Sequence, residues 1–229
     1  MRRAAALLAL SLSFGWLQPT PAHAIGEITM VEVVVVDAPT PRAGDLINVA
    51  ASVRSEGAPV AGLPVTLQIK RYGEATFEDL ITVPTDSEGN LELNLRPLRN
   101  IKTRWVFSGD ENYAPYSTAA RTWLIGSRAS LAFSDRTPGV GQVVVVTGRT
   151  KPAKPGHTVR VLQGRSNHGG FGPAYPRPEL LGTTTVKENG RYRIRVRFTK
   201  TGQQPVFVTV SRGNGNTTGY SNTRVVAVG

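Results

Sequence analysis

Strict alternation of apolar and polar positions dominates the chain, and it is cleanest at Arg191-Tyr192-Arg193-Ile194-Arg195-Val196-Arg197, after the turn residues Asn189-Gly190. A period of two sets Tyr192, Ile194 and Val196 on one face and four arginines on the other, as in a half-buried β-strand. The same phrase occurs earlier, with Gly89 for Gly190 and Leu91, Leu93 and Leu95 for the three apolar residues. Only the exposed face differs, because Asn90, Glu92, Asn94 and Arg96 stand where the four arginines stand. The buried side is repeated scaffold, and the outer side is where the two copies diverge.

Other segments follow the same rule. A β-branched run over residues 28–37 predicts a first strand, bounded by Asp37-Ala38-Pro39. After the turn Thr40-Pro41-Arg42-Ala43-Gly44, residues 46–54 alternate with Ile47, Val49, Ala51 and Val53 inward. A Gly/Pro-rich link leads to strands over 65–70 and 77–83, the turn Thr85-Asp86-Ser87-Glu88-Gly89, the Leu91 strand, and strands over 102–108 and 119–125. The second half repeats the order: Thr137-Pro138-Gly139-Val140-Gly141 matches the first turn, strands over 143–149, 158–163, 191–197 and 205–211 follow, and Tyr220-Ser221 takes the place of Tyr116-Ser117. Residues 224–229 read as a last strand, and no stretch has helical periodicity. The expectation is an all-β fold of two tandem β-sandwich domains, residues 25–126 and 127–229, of about seven strands each.

Residues 1–24 stand apart. Arg2 and Arg3, the apolar run 4–17 and Ala22-His23-Ala24 have the order of an export signal cleaved after Ala24. The run is shorter than the roughly 20 residues of a spanning helix, so no transmembrane anchor is expected and the mature chain is placed outside the cell or at its envelope. The chain has no cysteine. Neither a lipid-bearing thiol nor a disulfide is available, and each half must stand on its core alone.

The net charge of +11 is unevenly spread. Residues 25–125 hold 9 Lys/Arg against 13 Asp/Glu, and residues 126–229 hold 16 against 3. Such asymmetry concerns partners rather than fold.

At Trp105-Val106-Phe107-Ser108-Gly109-Asp110-Glu111-Asn112-Tyr113-Ala114-Pro115-Tyr116-Ser117 the chain resembles bacterial Ig-like repeat domains, in which a late strand runs into a Ser-Gly-Asp-x-Asn-Tyr type of turn. The second half resembles the same group through Val159-Arg160-Val161, Thr183-Thr184-Thr185 and Gly190-Arg191-Tyr192, and departs from it at Arg212-Gly213-Asn214-Gly215-Asn216. The resemblance implies two tandem Ig-like β-sandwiches used as spacers or binding modules on secreted, surface-attached proteins. It implies no reaction.

The residues themselves argue against catalysis. After signal removal only His157 and His168 remain, and no Gly-x-Ser-x-Gly, His-Glu-x-x-His or phosphate-loop pattern appears. An enzyme is not expected, nor a cofactor. Asp86-x-Glu88-x-Asn90 and Asp110-Glu111-Asn112 are oxygen-rich but lack calcium-loop spacing, so they read as turns and no metal site is assigned.

Two binding surfaces are predicted. The loop over 164–182 interleaves glycine and proline with Arg165, Phe171, Tyr175 and Arg177, residues suited to a protein or carbohydrate contact; the alternative is an insertion whose aromatics cover a sheet edge. The ladder Arg191, Arg193, Arg195 and Arg197 forms a row about 20 Å long, suited to an anionic cell-envelope polymer or acidic polysaccharide. At about 1 kcal/mol per basic residue, four arginines reach only millimolar affinity. Arg160 and Lys187, with Lys151, Lys154 or Arg212, are the candidates to join them. The alternative is a solvated face, or one docked on the acidic first half. Sequence-specific nucleic-acid reading is not expected, since no recognition helix or aromatic platform is present.

Overall fold

A computed structural model describes residues 26–33, 40–164 and 177–229. The predicted export signal, residues 34–37 of the first predicted strand and most of the 164–182 loop lie outside the described residues. The fold is all-β, with no helix among the described residues.

The first half is a sandwich of two antiparallel layers. In one, Ile47–Ser55 pairs with Thr29–Val33 and with Asn90–Leu95. In the other, Pro64–Arg71 lies between Glu78–Pro84 and Ile101–Phe107, which in turn pairs with Arg121–Trp123. The inward residues read from alternation are the ones that pack: Ile47, Val49, Ala51 and Val53 of the first layer meet Val65, Leu67, Ile69, Trp105 and Phe107 of the second in one core. Thr103 is fully buried among them, and its hydroxyl accepts a bond from Trp123 Nε1 at 2.9 Å.

The second half repeats the plan around its own core. Val143–Lys151 pairs with Arg191–Arg197 in one layer, while Thr158–Gln163 lies between Glu179–Thr185 and Gly202–Val210 in the other. Val144, Val146, Tyr192 and Val196 face Val159, Val161, Val206 and Val208. Gly126–Ala129 joins the layers, pairing with both Val143–Lys151 and Thr217–Tyr220.

The repeat extends to individual bonds. Gly89 and Gly190 both have positive φ, 77° and 75°, which L side chains adopt at a cost. Each donates to the carbonyl three residues back, Asp86 at 3.0 Å and Lys187 at 2.9 Å. In the other shared turn Asp45 and Gln142 exchange roles, their side chains accepting from the N–H of Arg42 and Gly139.

Two expectations are corrected. Thr118 and Ser221 make the same pair of bonds, to Trp105 and Val208 respectively, so Ser221 is the counterpart of Thr118 and Tyr220 that of Ser117. Tyr220 therefore does not repeat Tyr116; side-chain identity suggested a match one residue out of register. The strand expected over 119–125 is confined to Arg121–Trp123. Beyond it the Ile125 N–H turns to Asn100 Oδ1, at 2.8 Å, instead of continuing the ladder.

The halves are fastened by backbone as well as side chains. Ala43 N–H bonds to the Gly126 carbonyl and Gly126 N–H to the Pro41 carbonyl, each at 2.8 Å. Asn100 N–H meets the Gly215 carbonyl at 2.6 Å, and Asn216 Nδ2 donates to the carbonyls of Leu98 and Ile125. Arg128 Nε donates to the Ala43 carbonyl and its guanidinium pairs with Asp45.

Candidate functional site

The Arg191–Arg197 strand keeps its predicted alternation. Tyr192 and Val196 are buried, Ile194 is half-buried against the core, and Arg191, Arg193, Arg195 and Arg197 are all exposed. Antiparallel register sets Arg191 opposite Arg149, Arg193 opposite Thr147, Arg195 opposite Val145 and Arg197 opposite Val143. Residues directly opposite share a face. The neighbouring strand thus extends the basic surface at one end through Arg149 and then Lys151, which lies opposite Arg128.

Among the described residues no carboxylate lies within ion-pair distance of the four ladder arginines, Arg149 or Lys151. Arg197 donates to the Gly141 carbonyl at 2.5 Å, which fixes the far end of the row. Like charges this close repel, and stacking them on one face without counter-charge costs stability. Two carboxylates of the second half are engaged locally: Asp135 caps the turn at Thr137, and Glu179 pairs with Lys200 at 3.3 Å; Glu188 is exposed in the turn after Lys187.

The other candidates are distributed differently. Arg160 is exposed on Thr158–Gln163, between the fully buried Val159 and Val161. It points away from the core on the opposite layer, so the ladder and Arg160 face opposite ways. Lys187 is exposed in the turn leading into Arg191, at the end of the row near Arg149. Arg212 is exposed in the loop after Gly202–Val210. Arg165, Phe171 and Tyr175 lie outside the described residues, and Arg177 is exposed.

Lys154 is no surface cation. Its side chain is fully covered, Nζ donates to the Ser211 carbonyl at 2.7 Å, and burial pushes its pKa down to about 8. His157 Nδ1 lies 3.2 Å from Ser211 Oγ, which also accepts from the Thr158 N–H. Burial, and then the Lys154 charge, lower the His157 pKa. Among the described residues no carboxylate bonds to this imidazole, so the Ser–His contact has no orienting third group. What the cluster does is pin the loop after Lys151 to the loop after Val210.

The oxygen-rich turns serve the backbone. Asp86 Oδ1 accepts from the N–H groups of Asn90 and Glu88 at 2.8 and 2.9 Å, bonds that hold its carboxyl below the usual range. Asp110 Oδ1 accepts from Asn112 and Tyr113 N–H, both at 2.8 Å. No group of three or more metal-ligating side chains occurs among the described residues.

Solved structures to which the chain is similar include parts of bacterial adhesins. A tetra-tandem repeat from the extending region of a large adhesion protein is 14% identical, with a TM-score of 0.34 over 88% of this chain and 49% of that one. The C-terminal 282-residue fragment of intimin, solved with the intimin-binding domain of its translocated receptor, is 15% identical, with a TM-score of 0.37 over 89% of this chain and 64% of that one. Red sea bream transglutaminase is 13% identical, with a TM-score of 0.41 over 90% of this chain and 32% of that one. The chain thus spans about half of the adhesion-protein structure. At these scores the likeness adds nothing to what the strand pairings and the two cores establish. No protein-family model and no curated protein matches the chain.

Proposed function

We propose that this is an exported, non-enzymatic protein of two Ig-like sandwiches, residues 25–126 and 127–229, that associates with anionic polymer at the cell envelope through the outer face of its second half. The observation that carries the reading is the uncompensated row of Arg191, Arg193, Arg195 and Arg197, continued by Arg149 and Lys151. Six cations at about 1 kcal/mol each give about 6 kcal/mol, which corresponds to tens of micromolar. That is enough for retention on a polymer offering many sites.

The chain from residue 25 is expected to bind heparin-agarose at low salt and to elute at moderate salt, since screening weakens exposed charges. Replacing Arg191, Arg193, Arg195 and Arg197 together by Gln should move elution to much lower salt. Unchanged elution, with folding verified by circular dichroism, would refute the reading.

One observation favours a second reading, a spacer or adhesive module working through protein contacts. A cleft of about 570 Å³ is lined mainly by the first half, with Tyr72, Leu80, Leu95 and Leu98, and by Pro152 of the second, and Tyr72, Leu80 and Leu98 are exposed. On that reading a partner protein stays bound in high salt and is lost on Leu80→Asp/Leu98→Asp.

A further inference from the structure

The row of cations does not end at Arg191. Following the paired strands toward the first half, Arg149 stands opposite Arg191 and Lys151 opposite Arg128, and there the surface sinks into a cleft of about 450 Å³ between the halves. Five basic residues line it: Arg42, Arg128, Arg149, Lys151 and Arg224. Arg42 comes from the first half and the others from the second, so the first half adds one cation to a wall that the second half builds.

Its cations have distinct situations. Arg128 is engaged, since it holds the Ala43 carbonyl and Asp45 and so fixes the segment that carries Arg42. Arg42 NH1 is oriented by Asn222 Oδ1 at 3.3 Å, leaving its charge unneutralised. Lys151 reaches toward the first half, where its Nζ lies 3.6 Å from the place a Cβ on Gly44 would occupy. No carboxylate is among the residues of the wall, and Asp45 beside it is already paired with Arg128. Convergent cations held by a junction of backbone hydrogen bonds form a preorganised anion site, in which little ordering remains when a ligand arrives.

The wall also carries Leu131, Tyr220 and Asn222, an apolar, aromatic and amide set. Apolar surface with a few placed polar groups suits a sugar ring, and the volume is that of a small-ligand cleft. A nucleic-acid strand would call for successive stacking aromatics, and the wall has only Tyr220.

We propose that this cleft binds a short segment of an acidic saccharide, its carboxylate or sulfate groups held by Arg42, Arg149, Lys151 and Arg224, as the recognition end of the basic row. The proposal rests on the polyanion reading and sharpens it: the ladder retains a long polymer by charge, and the cleft selects its repeating unit.

Isothermal titration of the chain from residue 25 tests it, with a heparin-derived tetrasaccharide (sulfate and carboxylate) and tetragalacturonate (carboxylate only) as probes. Saturable one-to-one binding of at least one is expected, and the probe preferred tells sulfated from uronic ligands. Arg149→Gln/Lys151→Gln should weaken it about tenfold, while the charge-conserving Arg149→Lys/Lys151→Arg stays within about twofold. The four-arginine ladder variant should still bind the tetrasaccharide while losing long-chain heparin. Three results would overturn the proposal: no saturable binding of either probe, no weakening in the Arg149/Lys151 Gln variant, or tighter binding of a short oligothymidylate. In the parent chain, heparin retention without tetrasaccharide binding removes the cleft and leaves the polyanion reading; tetrasaccharide binding without heparin retention removes the ladder and leaves the cleft.

Discussion

Gly148→Ala is expected to destabilise the second half by about 3 kcal/mol, the upper end of overpacking costs, although an alanine placed without strain ordinarily gains on glycine. Gly148 lies opposite Tyr192 in the register of Val143–Lys151 and Arg191–Arg197. The tyrosine ring crosses the bare backbone of Gly148 so that its hydroxyl donates to the Ser130 carbonyl, and an added Cβ would collide with both that oxygen and the hydroxyl. The neighbours have little room to yield, since Tyr192 is almost fully buried. The first half solves the same position otherwise: Ala51 lies opposite Leu91, and both are buried. Small with large has become smaller with larger. The pair Gly148→Ala/Tyr192→Leu should therefore cost less than the sum of its singles, with a coupling of about 1–3 kcal/mol. Urea unfolding followed by far-ultraviolet circular dichroism reads both values. A Gly148→Ala protein as stable as the parent, or strictly additive singles, would refute this account.

Stability should rise from about pH 8 toward about pH 10, where many proteins lose it. In the folded chain Lys154 loses its proton near 8, against 10.5 for an ordinary lysine, because burial disfavours its charge. Between those values the unfolded chain binds the extra proton, so raising the pH favours the folded state. Below about 8 both states are charged, and the folded one bears the full burial cost. Linkage sets about 3 kcal/mol as the ceiling of the gain. Tyr192 acts in the opposite sense at higher pH, since burial raises its pKa and its stabilising neutral form is lost only on stronger alkalinisation. Denaturation midpoints measured across this window in the parent and in Lys154→Met decide the matter. The parent should climb and the variant should stay flat; equal slopes would mean that Lys154 is not the titrating group.

Alternation made the fold legible. Val49, Ala51 and Val53, like Tyr192 and Val196, could be assigned to cores because a strand offers only two faces, and one of them must be dry. Gly89 and Gly190 marked the turns because both occupy a conformation that glycine takes freely. Much of the candidate site was not legible in the same way. Alternation says that Arg160 and Arg193 point outward, but not that their strands lie in opposing layers. Arg42, Arg128 and Arg224 are remote in sequence and carry no shared motif; they meet because Gly126 bonds back to Pro41 and Ala43. Lys154 looked like one more surface charge, and only the packing of the loops at Ser211 shows it to be a covered one.

Among the described residues the strand Arg191–Arg197 shares a ladder only with Val143–Lys151, which makes it the border of its layer, and across that border Thr184 Oγ1 donates to the Arg193 carbonyl at 3.2 Å. A border strand presents unsatisfied amides and carbonyls that a second molecule can adopt as a template, the first step toward fibrils. Here that border bears four guanidinium groups, and two copies approaching edge to edge would press the rows together. Apart from any ligand, the row thus also hinders two copies of the chain from joining along this edge.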